Sequence, residues 1–381
     1  MARWARRSLI AVTAAATLLT AACGGDDDGG DPGTDRPDDT PIVVAGEAFP
    51  EERCDANREA GTITFLTGFD FAAAASIVEV ITADSLGYYE ELCLDVEILS
   101  SFSTANYPLV AGGQGQFASG GSFSEVVNFA LTSGTDLAVV TVAGRTPIDT
   151  LMVKPDDAGS LDELSGTTIG VKGKLPASIE VMLLQAGLEN GTDFDTVLVD
   201  GFDPVAHFAI PSISAVPGWK SNEPGRLERE GVPFTAFDPS SAGVPGSFGA
   251  IFTTRSFIGE HPTAAEDFVR ATLRGLAAAI DDPEMASAAA VDLVEAGGNP
   301  NFLSLEGEVF RWAVEAELIA STTPAGVAPG TPDLAGLGAE VTAYGEVAFF
   351  GEAGTPTAAD HVDDSLARDV SGDDGRVIWP E

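Results

Sequence analysis

Short β-branched runs alternate with helical stretches through the body of this chain, and no other feature restricts its fold as much. Residues 62–66 are a β-branched run closed by Gly68, and residues 72–85 carry Ile77, Val80 and Ile81 at helical spacing up to Gly87. Residues 94–99 alternate apolar and polar, residues 107–111 read as a short helix, and 116–119 as a third strand. Gly120-Gly121-Ser122 opens a helix over 124–131, and Leu137 to Val142 is a fourth strand, apolar apart from Thr141. Such alternation predicts parallel strands with helices on both faces.

A second unit starts near Leu151, with strands over 168–172, 196–199, 213–216, 234–237 and 250–253 and a helix over 177–186. The pattern then turns helical. Pro262 and the box Thr263-x-x-Glu266 predict a helix start, and Val269, Leu273, Leu276 and Ile280 make one apolar stripe. Asp282-Pro283 and residues 310–319 predict two further helices. The tail from Ser321 is rich in Pro, Gly and Ala, with a helical stretch over 334–344 and an acidic end.

The N-terminus reads as an export signal. Arg3, Arg6 and Arg7 precede an apolar run over 8–22, shorter than a bilayer span. Leu18-Leu19-Thr20-Ala21-Ala22-Cys23 resembles a bacterial lipobox with Cys23 as the lipidated residue, although Thr20 stands where Leu is commoner. Ordinary signal-peptidase cleavage and an uncleaved anchor are the other readings. A glycine- and aspartate-rich stretch follows, and residues 23–60 are assigned to an acidic tether. The expected location is therefore extracytoplasmic, lipid-anchored at the outer face of the membrane. In that oxidising setting Cys54 and Cys93 are either a disulfide or two buried thiols.

Fifty-nine Asp and Glu stand against 19 Lys and Arg, a net charge of −40, and four residues are lysine. That balance opposes direct binding to nucleic acid or an anionic membrane surface and suits a surface kept hydrated in high salt. Three His and three scattered Cys leave little for a metal site, so neither a metal nor a cofactor is expected. Gly120-Gly121-Ser122-Phe123-Ser124 lacks the last glycine of a hydrolase elbow, and Gly112-Gly113-Gln114-Gly115 lacks the Lys of a phosphate loop, so no catalytic residue is assigned.

Several ordered motifs are similar to those of one family. Ala83-Asp84-Ser85-Leu86-Gly87-Tyr88-Tyr89-Glu90 with Leu94-Asp95-Val96-Glu97-Ile98, then Leu109-Val110-Ala111-Gly112-Gly113 with Gln116-Phe117, resemble solute-binding proteins of ABC importers for nitrate, sulfonates, taurine and thiamine precursors. Residues 161–171, the element Ser221-Asn222-Glu223-Pro224 with Arg229-Glu230-Gly231, and His261-Pro262 through Gly275 continue the resemblance to about residue 320. It implies a type II periplasmic-binding fold, in which two α/β lobes enclose a ligand cleft. Residues 61–148 and 256–320 are expected in lobe 1 and 149–255 in lobe 2, with 321–381 an extension. It also implies a monomer that delivers a small solute to an ABC permease and its ATPase, with no chemistry performed. A surface sensor on the same fold is the rival.

Ligands of open α/β sheets lie beyond the carboxyl ends of the strands. That rule selects Phe69, Asp70 and Phe71 after the first strand, Ser119, Gly120, Gly121 and Ser122 after the third, and Arg145 after the fourth. In the second unit it selects Lys174 and Ser178, then Trp219, Asn222 and Glu223. Each has a structural alternative. Phe69 and Phe71 suit a core, Asp70 a helix cap, and Ser119 to Ser122 a tight turn with an N-cap. Arg145 and Lys174 suit solvated surface, Trp219 a hinge lining, and Asn222-Glu223-Pro224 a helix start. Few cations and several aromatics among these positions favour a thiamine-pyrimidine-like or other aromatic nitrogen heterocycle over a sulfonate, nitrate or taurine.

Overall fold

A computed structural model describes residues 41–201, 203–298 and 304–381. The expected signal, Cys23 and the glycine-aspartate stretch through residue 40 lie outside them. Among the described residues ten strands form two five-stranded sheets: β1 Thr62–Leu66, β2 Asp95–Leu99, β3 Phe117–Ser119, β4 Leu137–Gly144, β5 Asp149–Val153, β6 Thr168–Val171, β7 Asp195–Leu198, β8 Ala215–Trp219, β9 Thr235–Phe237 and β10 Phe248–Thr254. The first sheet runs β2-β1-β3-β10-β4 and the second β7-β6-β8-β5-β9.

The sheets are mixed, where the alternating pattern predicts parallel strands. β1 is parallel to β2 and β3, but β10 is antiparallel to both β3 and β4. In the second sheet β6 is parallel to β7 and β8, and β5 is antiparallel to β8 and β9. The chain passes from β4 directly into β5 and returns from β9 into β10 through one 3-10 turn, Pro239–Ala242, and a strand entering a sheet by such a crossing has no crossover α-helix to reverse its direction. β10 is thus a first-sheet strand, although the pattern placed residues through 255 with the second unit.

Helix Pro262–Asp281 packs on helix Val78–Ser85 behind the first sheet, and its face buries Phe268, Val269, Leu273 and Leu276. Pro262 is in its first turn, but Glu266 forms no capping box: its Oε1 accepts from Arg270 Nη2 at 2.8 Å and lies 3.0 Å from Arg53 Nη2. Asp267 completes this buried group, accepting from Arg53, Arg270 and Asn57. Arg53 and Asn57 belong to helix Glu51–Glu59, so this part of the expected tether is a docked helix. Cys54 in that helix is bonded to Cys93 in the turn before β2.

The extension is folded onto the rest. Helix Leu334–Glu346 contacts both helix Phe123–Ser133 and helix Ala177–Gln185. Its Leu337, Val341 and Tyr344 share one apolar cluster with Val127 beside the first sheet and Ile179 beside the second. Glu340, fully buried, accepts from the Ser124 N–H at 3.1 Å and its hydroxyl at 2.6 Å. Among the described residues no helix is long and apolar enough to cross a membrane.

Candidate functional site

A cavity of about 480 Å³ opens where the carboxyl ends of β1, β3, β6 and β8 converge, lined from both sheets. Phe69 and Phe102 stand on the first-sheet side with rings 5.8 Å apart, edge to face. Trp219, 44% exposed at the end of β8, stands on the other, with Pro217 and Phe248 also in the lining. Exposed aromatics on both walls make a slot suited to a flat apolar ring.

Close approach in this slot depends on glycines. A Cβ at Gly68 would overlap Ser119 Oγ, and one at Gly218 would sit 2.6 Å from Met152 Cε and 2.8 Å from Glu223 Cβ. Ser119 Oγ is 2.5 Å from Ser76 Oγ, and Ser76 holds a left-handed backbone at φ 66°. Asn106, buried in helix Ser103–Ala111, donates to the carbonyls of Leu66, Thr67 and Ser119, tying the ends of β1 and β3 together.

Electrostatically, the first-sheet wall has its N–H donors occupied by the chain's own carboxyls. The Ala73 N–H donates to Glu308 Oε2 at 2.7 Å, Ala75 to Glu315 Oε2 at 2.7 Å, and Ser76 to Glu79 Oε1 at 2.8 Å. Glu315 also accepts from the Ser221 hydroxyl at 2.7 Å, joining this wall to the loop after β8. Burial pushes Glu308 and Glu315 above the usual carboxyl range, and Glu79 up to about 8. The next helix start is filled in the same way. Gly120 donates to the Ala250 carbonyl, Ser122 to Glu125, Phe123 to the Ser247 hydroxyl and Ser124 to Glu340.

The cavity lining includes eight of the residues selected from sequence: Phe69, Ser119, Gly120, Gly121, Lys174, Trp219, Asn222 and Glu223. The carboxylate of Glu223 is engaged at both oxygens, by Lys172 Nζ at 2.6 Å and by the Trp219 N–H at 2.8 Å. Lys174 lies 4.1 Å above the ring of Phe349 from the extension, and Asn222 Oδ1 is 3.4 Å from Arg311 Nη2.

The remaining five stand outside the lining, each for a local reason. Asp70, buried at φ 46°, accepts from the Ser100 hydroxyl at 2.7 Å and holds the turn after β1 to the end of β2. Phe71 is packed in a core cluster with Ile77 and Trp312. Ser122 is the N-cap of a capping box with Glu125. Arg145 donates to the Thr331 carbonyl of the extension at 3.0 Å. Ser178, buried, donates to Asp149 Oδ2 at 2.6 Å.

Several lining residues are not among the candidates selected from sequence: Phe102, Asp149, Lys172, Arg311 and Glu315. Glu308, Arg311 and Glu315 share one face of helix Leu305–Thr322, alongside the fully buried Trp312. Charges at three- and four-residue spacing beside such a residue were the available signal.

A model of the family described as NMT1/THI5 like matches residues 74–286, more than half of the chain. RibY of Chloroflexus aurantiacus, a riboflavin-binding protein, is 31% identical over 176 residues, 42% of this chain. The match spans 49% of RibY, about half its length. The fold is similar to that of the alkanesulfonate-binding protein SsuA from Xanthomonas axonopodis bound to MOPS (TM-score 0.57, 14% identity, 79% of this chain and 98% of that one). It is also similar to the nitrate-binding protein NrtA of Synechocystis PCC 6803 (TM-score 0.56, 14% identity, 81% and 87% covered). At these identities the likeness is one of fold, and that fold is the type II periplasmic-binding architecture of two α/β lobes.

Proposed function

Since this chain belongs to the NMT1/THI5-like family, we propose that it is the solute-binding component of an ABC importer and that it captures an aromatic nitrogen heterocycle. Binding is between the lobes, and the closed form is handed to a membrane permease and its ATPase. The chain acts as a monomer, held outside the cell membrane by a lipid on Cys23, and performs no catalysis.

One observation carries the choice of ligand. A receptor for sulfonate or nitrate needs unspent N–H donors at helix starts. In this cleft Glu308, Glu315 and Glu79 occupy those of the loop after β1, and Glu125 and Glu340 those after β3. What is left on the walls is the rings of Phe69, Phe102 and Trp219 and the carboxyl of Asp149, beside three cations of which Lys172 is paired with Glu223 and Arg311 with Glu308. Such walls suit a flat ring carrying N–H groups, as in an aminopyrimidine or the isoalloxazine of riboflavin. The riboflavin binding of RibY is consistent with this class.

A sulfonate or nitrate ligand is the second reading, favoured by Lys172, Lys174 and Arg311 in the same lining. A thermal-shift panel of the thiamine aminopyrimidine, riboflavin, adenine, taurine, an alkanesulfonate and nitrate separates the two. A ligand at a hundred times its Kd stabilises by about 2.7 kcal/mol. The expected outcome is a shift with a heterocycle and none with the anions; a shift with the anions alone reverses the choice.

A further inference from the structure

Asp149 is the first residue of β5 and lies directly opposite Trp219 in the β5–β8 ladder. Opposite residues of an antiparallel pair project to the same face. The side chains of Trp219 and Asp149 therefore stand on one face of the sheet, and both line the cavity. One carboxylate oxygen, Oδ2, is fixed by the Ser178 hydroxyl at 2.6 Å, and among the described residues Oδ1 has no hydrogen-bond partner. The other acid in this part of the cavity, Glu223, has both oxygens occupied by Lys172 and the Trp219 N–H.

Resting on the heterocycle reading above, we propose that Asp149 determines specificity in the cleft by accepting a hydrogen bond from a ring N–H or amino group of the ligand. A carboxylate held on one oxygen and open on the other is an acceptor without a donor, so it selects ligands that supply one and repels anions. Burial, opposed by Ser178 and Lys220 and reinforced by Glu125 and Glu223, raises its carboxyl to about 6. Tyr344 faces the same group from the extension, and Lys172 and Lys174 share the cavity. Protonation at lower pH removes the charged acceptor, so affinity falls as pH drops through 6.

Titration calorimetry of the full chain and of Asp149→Asn tests this with riboflavin, 3-methylriboflavin, the thiamine aminopyrimidine and taurine between pH 5 and 8. For the N–H ligands the substitution is expected to weaken binding by about ten- to a hundredfold, the range for a hydrogen bond to a charged group. The same loss is expected when 3-methylriboflavin replaces riboflavin on the unaltered protein, which needs no variant to fold. The fall below pH 6 is expected to disappear in Asp149→Asn. Equal affinity of protein and variant for a bound heterocycle, with the pH profile unchanged, overturns the role of Asp149 and leaves the heterocycle reading intact. Binding of taurine alone, or of none of the four, overturns both.

Discussion

Single buried carboxyls set much of the behaviour of this cleft, and Glu79 shows the physics most clearly. Its Oε1 receives the Ser76 N–H, its Oε2 is buried without a partner among the described residues, and its carboxyl is raised by burial to about 8. The folded state therefore keeps a proton that the unfolded chain releases near its ordinary value of 4.5. Above that value the native state binds more protons than the unfolded one, so stability falls as pH rises and the loss is complete once pH passes 8. A tenfold difference in proton affinity between the two states is worth about 1.4 kcal/mol. Glu79→Gln is expected to flatten the decline of melting temperature between pH 5 and 9 and to melt higher than the unaltered protein at pH 9; parallel pH profiles would show that Glu79 does not hold this proton. Residues of this kind escape a linear reading. Phe69, Gly120 and Trp219 sit at strand ends and are legible from position alone, whereas Glu308 and Glu315 reach Ala73 and Ala75 from more than 230 residues away.

Elements were legible where local chemistry decides them. Residues 62–66 are β1 as predicted, Asp282 caps helix Pro283–Gly297, and the helix of the extension starts at Leu334. The stretch over 72–77 is different: its apolar spacing continues into helix Val78–Ser85, but its backbone is held open by Glu308, Glu315 and Glu79. The turn at Cys93, φ 58°, is fixed by its bond to Cys54 across a separation of 39 residues. Closing a loop of that length is worth about 4 kcal/mol in the chain-entropy model. Replacing both cysteines by serine is expected to lower the urea midpoint by a corresponding amount, loosening helix Glu51–Glu59 from the first sheet; an unchanged midpoint would mean that Arg53 and Asp267 hold the helix unaided.

At the scale of the whole molecule, a net charge of −40 sets self-repulsion against compactness, and salt screens it. Melting temperature is expected to rise steadily as potassium chloride is taken from 0.05 to 2 M (about a 3 Å Debye length at 1 M); insensitivity to salt would remove the case for a high-salt setting. The sequence by itself determined the class of the fold, because strand and helix periodicity, glycine stops and helix starts act over a few residues, and ordered motifs carried the family. It also pointed to the loops after β1, β3, β6 and β8 that border the cleft, but not to Phe102 after β2, and it offered Arg145 after β4, which is tied to Thr331 instead. Only the tertiary structure decided the antiparallel crossing strands β5 and β10, the docking of residues 334–346 across both halves, and the carboxyls that occupy the first wall. Those outcomes depend on pairings between distant segments, and the desolvation that gives them their strength exists only once the segments have met.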